Sequence, residues 1–187
     1  IQDLFELSDK NSVNPDELIR AIITSKTDLL WLGGIGTYIK SSQEAHTAVG
    51  DRKNDAIRID GWQLRCSVIG EGANLGLTQQ GRIEYSLKGG RVNTDFIDNS
   101  AGVASSDQEV NIKILLRELV ADKKLTRKDR DLLLGQMTKN VSKHALQDNY
   151  RQSMALTNLQ AFGTGFLDEA GRLIKTLERR GLSLIHI

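Results

Sequence analysis

Hydrophobic positions along this chain form three kinds of pattern: short continuous runs, alternations of apolar with polar residues, and repeats at helical spacing. Leu29-Leu30-Trp31-Leu32 is a continuous run stopped by Gly33-Gly34, and Ser67-Val68-Ile69 is a second that runs into Gly70-Glu71-Gly72-Ala73-Asn74. Such runs predict strands buried on both faces of a parallel sheet. Ala56-Ile57-Arg58-Ile59 and Trp62-Gln63-Leu64-Arg65 alternate around Asp60-Gly61, which predicts a β-hairpin. A third buried strand is expected from Arg91 to Ile97, followed by a loop over residues 98–102. Helical spacing governs Ile112, Leu115, Leu116, Leu119 and Val120, a stripe expected to lie on the sheet and leave Lys113, Arg117 and Lys124 in water. Leu133, Met137, Val141 and Ala145 step by four along the side of another helix.

Polar punctuation marks where these helices start. Asn14-Pro15-Asp16-Glu17 supplies a cap, a proline in the first turn and acids beside the positive helix end, so a helix should run from there to about Ser25. Thr78 can cap a helix ending at Gly89-Gly90. Ser106-Asp107-Gln108-Glu109 and Thr126 to Asp129 both read as capping boxes, and a last helix is expected from Phe166 to Arg180. Strands alternating with helices, with three Gly- and Asn-rich loops at strand ends, predict an α/β fold: a partial Rossmann-like open sheet, mostly parallel, with a helical C-terminal extension. The three loops should converge outside the carboxyl ends of the strands. One boundary is placed near residue 124, separating 1–124 from 125–187.

Composition removes several function classes. The 187 residues carry 25 Lys and Arg against 24 Asp and Glu, a formal net charge of +1 that offers no long-range field for nucleic acid or an anionic membrane. No run approaches the roughly 20 apolar residues that a membrane helix requires. The single cysteine, Cys66, excludes an internal disulfide and points to a reducing compartment, the cytoplasm; with no histidine beside it, it is expected to fill core volume. His46, His144 and His186 are too scattered for metal-ligand spacing, and no metal is expected. Lys123, Lys124, Arg127, Lys128 and Arg130 read as a solvated basic face. Neither a G-x-S-x-G elbow nor a P-loop is present, which lowers hydrolase and NTPase readings. The chain starts without a methionine inside a helical pattern and ends on Leu184-Ile185-His186-Ile187, so it reads as a piece of a longer protein whose last four residues could be foreign.

Chemistry concentrates in the three loops. Gly33-Gly34-Ile35-Gly36-Thr37 bares backbone N–H groups to an anion, or is only a turn; its spacing is not the dinucleotide fingerprint G-x-G-x-x-G. Glu71-Gly72-Ala73-Asn74 joins a carboxylate and an amide to small residues, which suits a ribose or a carboxamide, or else ties the turn to its own backbone. In the third loop Asn99 offers an amide, Gly102 keeps the approach open, and Ser106 at a helix start could hold a carboxylate as well as cap the helix.

Taken in order, Leu29 to Tyr38, Gly50-Asp51-Arg52 with Asn54-Asp55, Gly70 to Gly76, and Asn93-Thr94-Asp95 through Asn99-Ser100-Ala101-Gly102-Val103 closely resemble the large bacterial NAD-specific glutamate dehydrogenases. The resemblance is near continuous from about Pro15 to Arg180. It implies the far half of a dinucleotide-binding domain followed by helices, and oxidative deamination of L-glutamate to 2-oxoglutarate and ammonium with hydride passing to NAD. It places Asn74 on an asparagine that contacts the nicotinamide ribose, Asn99 on one near the carboxamide, and Ser106 on a serine that touches the substrate carboxylate. Gly33, Gly34, Glu71, Gly72, Ala73 and Gly102 complete the expected cofactor set. Around Ser106 the match is looser, because Ser105 is adjacent and Asp107-Gln108 replace aromatic residues of the shorter enzymes.

The resemblance further implies that the pyrophosphate turn, the adenine-ribose acid and the acid/base pair lie upstream of Ile1. No catalytic residue is therefore expected here, and the isolated chain should be inactive. The full-length enzyme is expected to be a homo-oligomer. Two other readings stay open at this point: a non-catalytic nucleotide-sensing module, and a dehydrogenase for another amino acid.

Overall fold

The computed structural model describes Phe5 and residues 12–182, so the readings at residues 1–4 and 184–187 lie outside the described residues. The chain divides into two compact units, Ile1–Ala145 and Leu146–Ile187, with the division falling inside one long helix.

The first unit is α/β. It opens with α1 (Pro15–Ile23), where Asn14 Oδ1 accepts from the Glu17 N–H at 2.9 Å and the Asn14 N–H donates to the Glu17 carboxylate at 3.4 Å, closing a capping box. Among the described residues five strands follow: β1 (Leu29–Leu32), β2 (Ile39–Lys40), β3 (Ile59–Asp60), β4 (Val68–Glu71) and β5 (Arg91–Val92). One sheet has the order β1-β4-β5, a second pairs β2 with β3, and all of these pairings are parallel. The short α2 (His46–Val49) lies between β2 and β3, and α3 (Gln79–Leu87) connects β4 to β5. Thr78 caps α3, its hydroxyl accepting from the Gly81 N–H at 3.0 Å. Ile23, Leu32, Ile39, Ile59, Leu64, Cys66, Ile69, Leu77 and Tyr85 make the core, so Cys66 fills core volume as expected.

The sheet is covered on one face only by the described residues. Leu30 and Leu32 point into the core, whereas Leu29 and Trp31 are 56% and 58% exposed, so β1 is not the doubly buried strand its apolar run predicts. Trp31 instead lies across β4: a Cβ at Gly70 would come within 2.5 Å of the indole, and one at Gly72 within 2.7 Å.

Four other expectations are overturned. The hairpin over 56–65 does not form, because β3 pairs in parallel with β2 and Gly61–Gln63 is a 3-10 turn. Gly61 serves close packing here: a Cβ on it would stand 2.7 Å from the Gly81 carbonyl oxygen of α3, and the Asp60 N–H donates to Gln63 Oε1 at 2.8 Å. The third strand stops at Val92, since the polar run Asn93-Thr94-Asp95 starts a helix. That helix, α4 (Asp95–Asp98), is followed directly by α5 (Ser100–Ala121), so the expected loop over 98–102 is largely helical. Ser106 consequently sits inside α5 and caps nothing; with the helix already begun at Ser100, the Ser106–Glu109 spacing is only a surface pattern.

The α5 stripe also finds a different partner. Leu116 is buried but Leu115 is 62% exposed, and Ile112 faces the first part of α6 (Arg127–Phe162) across a groove of about 410 Å³ that Met137 and Val141 also line. Thr126 caps α6 as its spacing predicts, Oγ1 accepting from the Asp129 N–H at 3.1 Å. Leu133, Met137 and Val141 are half-buried and Ala145 is buried, which makes the four-residue stripe the inward face of this part of α6. In the second unit, the remainder of α6 leads through a 3-10 turn at Gly163–Phe166 into α7 (Leu167–Arg179), close to the last helix expected. Phe162 and Phe166 stack there with ring centroids 6.0 Å apart.

Candidate functional site

Parallel pairing fixes where the loops emerge. Leu32 is in register with Glu71 and Ile69 with Val92, so β1, β4 and β5 send their carboxyl ends to the same edge. The first two loops are tied there by the Ala73 N–H, which donates to the Leu32 carbonyl at 2.9 Å, and by the Tyr38 N–H, which donates to the Gly76 carbonyl at 2.9 Å. The second and third meet through side chains: Asn99 Nδ2 donates to Asn74 Oδ1, the Leu75 N–H donates to Asp95 Oδ2 at 2.9 Å, and the Glu71 N–H donates to Asp98 Oδ2 at 3.0 Å.

The site residues expected from sequence divide into two groups. Gly33, Gly34, Asn74, Gly102 and Ser106 are exposed and Asn99 is half-buried. Asn99, Gly102 and Ser106 line one open cleft of about 470 Å³ with Val103, Asp107 and Val110. Gly102 has a specific reason to lack a side chain, since a Cβ there would lie 2.8 Å from Asn99 Oδ1. Ser106 joins this cleft from inside α5, so the unpaired N–H groups of a helix start are not what it offers a ligand. The second group is internal: Glu71 is fully buried, Ala73 is buried, and Gly72 lies beneath the Trp31 indole.

Burial of Glu71 forces a partner on it, because an isolated carboxylate inside a protein would neutralise. That partner is Arg82 on α3. Arg82 Nε donates to Glu71 Oε2 at 2.9 Å and Nη2 donates to Oε1 at 3.0 Å, the two-pronged geometry a guanidinium gives a carboxylate. Nη2 also donates to Asp95 Oδ1 at 3.0 Å, while Glu71 Oε1 accepts a second bond from the Leu77 N–H at 3.1 Å. Desolvation pushes the Glu71 carboxyl above its ordinary value, with the Arg82 bonds and charge pulling the other way. Arg82 belongs to none of the motifs read in the sequence, and Asp95 entered only as part of Asn93-Thr94-Asp95, with no role given to it. The available signal was Glu71 itself, an acid ending a strand of buried residues.

A parallel arrangement holds the first loop. Arg58, buried, donates from Nε to the Thr37 carbonyl at 2.7 Å and pairs with Asp55. Asp51 Oδ2 accepts from the Thr37 N–H at 2.9 Å and from Asn54 Nδ2 at 2.6 Å. These bonds, the Asn54 amide foremost, hold the Asp51 carboxyl below its ordinary value.

This edge offers amide donors and acceptors, bare glycine backbone and an adjoining open cleft. That donor set fits the nicotinamide half of NAD, whose ribose and carboxamide need both hydrogen-bond roles. Among the described residues no group of three or more His, Cys, Asp or Glu could hold a metal ion. No described helix is long and apolar enough to cross a membrane.

Residues 1–159 match the family described as bacterial NAD-glutamate dehydrogenase, catalytic domain. The chain belongs to this family. It is 54% identical over 172 residues to the NAD-specific glutamate dehydrogenase of Halomonas elongata, covering 92% of this chain and 11% of that protein. It is 52% identical over 167 residues to the Pseudomonas aeruginosa protein of the same name, covering 89% and 10%. For the Mycobacterium tuberculosis NAD-specific glutamate dehydrogenase the figures are 48% over 163 residues, covering 87% and 10%. The chain thus spans about a tenth of the length of the curated relatives it matches. The match to the bacterial NAD-glutamate dehydrogenase family takes in all three loops, the Glu71–Arg82–Asp95 cluster and most of α6, while α7 lies beyond it.

Proposed function

We propose that this chain forms the nicotinamide side of the cofactor site in an enzyme that oxidatively deaminates L-glutamate to 2-oxoglutarate and ammonium, with NAD as hydride acceptor. Membership of the bacterial NAD-glutamate dehydrogenase family supports the reaction. The observation that carries the site is the direct bond between Asn74 and Asn99, which brings an amide of the loop after β4 and one at the end of α4 to one strand edge. In this reading Asn74 holds the nicotinamide ribose and Asn99 the carboxamide. Gly33, Gly34 and Gly102 leave room for close approach, while Glu71, Gly72 and Ala73 shape the second loop from inside. Ser106 lines the cleft beside Asn99 and would meet the substrate carboxylate as a hydroxyl donor.

When bound, NAD supplies the ring carbon that accepts the hydride. The residues of this chain contribute orientation, and hydride transfer is sensitive to misplacement of its partners. The same reading takes residues 1–124 as the second half of a Rossmann-like dinucleotide-binding domain and 125–187 as a helical extension, within a cytoplasmic homo-oligomer. Steady-state assay of the full-length enzyme across a panel of amino acids tests the reaction. Glutamate-dependent reduction of NAD is expected, and its absence, or a clear preference for another amino acid, would refute the assignment.

A further inference from the structure

Arg82 stands where the second and third loops are joined, although it belongs to neither. From α3 it reaches Glu71, whose carboxylate also accepts from the Leu77 N–H and so spans both ends of the 72–76 loop. Through the same Nη2 it reaches Asp95, the first residue of α4, and Asp95 Oδ2 holds the Leu75 N–H next to Asn74. Leu75 has φ of 55°, left-handed backbone that a leucine adopts only under constraint. The Asp95 bond is the constraint the structure offers. Asn99 closes α4, its N–H donating to the Asp95 carbonyl at 2.8 Å. One guanidinium therefore touches a carboxylate at the root of the Asn74 loop and a carboxylate at the root of the helix that ends in Asn99.

We infer that Arg82 is a positioning residue for cofactor binding: its fork to Glu71 and Asp95 sets Asn74 and Asn99 at the spacing that a nicotinamide nucleoside needs. Arg82 is itself buried and acts through the two carboxylates, while its Nη1 donates to Gln79 Oε1 at 3.2 Å within the same helix. A point charge could neutralise them but could not reproduce three directed bonds from a planar group. The inference rests on the reading that Asn74 and Asn99 contact the cofactor.

The test is direct NADH binding to the full-length enzyme, followed by fluorescence, with thermal midpoints measured in parallel. Asn74→Ala and Asn99→Ala examine the underlying reading; unless both weaken NADH binding, that reading fails and the inference falls with it. Given that both do, Arg82→Lys is expected to keep the wild-type midpoint to within a few degrees and to weaken NADH by about tenfold. Adding Asn74→Ala to Arg82→Lys should then cost much less than it does in the wild type, because the amide is no longer presented. A merely structural arginine would give independent, multiplying losses, and that result overturns the inference, as does unchanged NADH affinity in Arg82→Lys. Should Arg82→Lys not fold, Asp95→Asn decides: it leaves the Glu71–Arg82 pair intact and should weaken NADH, with wild-type affinity counting against the proposal.

Discussion

Asn99 Nδ2 donates to Asn74 Oδ1 across 25 positions of sequence, joining an amide at the end of α4 to one in the loop after β4. Each amide still has hydrogen-bonding capacity left for a ligand. Replacing either in the full-length enzyme by alanine removes a contact worth about 1 to 3 kcal/mol in the transition state. Because the two are bonded, the double variant should lose less than the sum of the singles, by about 0.5 kcal/mol or more. Values of kcat/KM for NAD in the four proteins measure this, and strict additivity would show that the pair is not coupled.

Gly102 separates binding from stability. Alanine at this helical position should favour the helix by about 0.5 to 1 kcal/mol. Its Cβ would stand 2.8 Å from Asn99 Oδ1, however, and must push that amide aside. Gly102→Ala is expected to hold or raise the thermal midpoint while weakening NAD binding. A midpoint scan and a cofactor titration on the same sample check both signs.

Trp31 and Gly70 form a steric pair. A Cβ on Gly70 would fall within 2.5 Å of the indole, and overpacking of this kind costs about 1 to 3 kcal/mol. Gly70→Ala should destabilise the β1–β4 pair and shift Trp31 emission. Trp31→Leu in the same chain should recover part of the loss, and failure to recover would place the strain elsewhere.

Two carboxylates give opposite pH slopes. The Glu71 carboxyl is raised from 4.5, so the folded state holds its proton more tightly than the unfolded state does. Its contribution is fully present below 4.5 and is lost as pH rises through the folded value. The Asp51 carboxyl is lowered from 3.8, so its contribution is present above 3.8 and is lost as pH falls through the folded value. Relative to Glu71→Gln, the wild type should therefore lose thermal stability as pH rises just above 4.5; relative to Asp51→Asn, it should lose stability as pH drops below 3.8. Midpoints of the three proteins across this acidic range test both slopes.

What was legible in the sequence was what local chemistry decides. Asn14, Thr78 and Thr126 each accept from a backbone N–H three residues ahead, and that spacing is visible in the chain itself. The strand Leu29–Leu32 and the turn that ends it were equally readable. Asp60-Gly61 misled because the glycine answers to the carbonyl of Gly81 rather than to a left-handed turn. Ser106 misled because a capping signature has no meaning once a helix is already under way. Of the residues proposed for the site, Asn74 and Asn99 stand out in the sequence by their amide chemistry, but Arg82 does not. Its partners Glu71 and Asp95 lie 11 and 13 positions away, and only the fold brings the three charges together.

The parallel strands also have a consequence for how this chain is made. Leu29 cannot find its partner until Val68 has been synthesised, and Val68 in turn waits for Arg91. At a synthesis rate of about 5 to 20 residues per second, β1 emerges from the ribosome seconds before anything can pair with it. Through that interval the apolar strand, with its tryptophan, has only chaperones or the preceding part of the nascent protein to shield it.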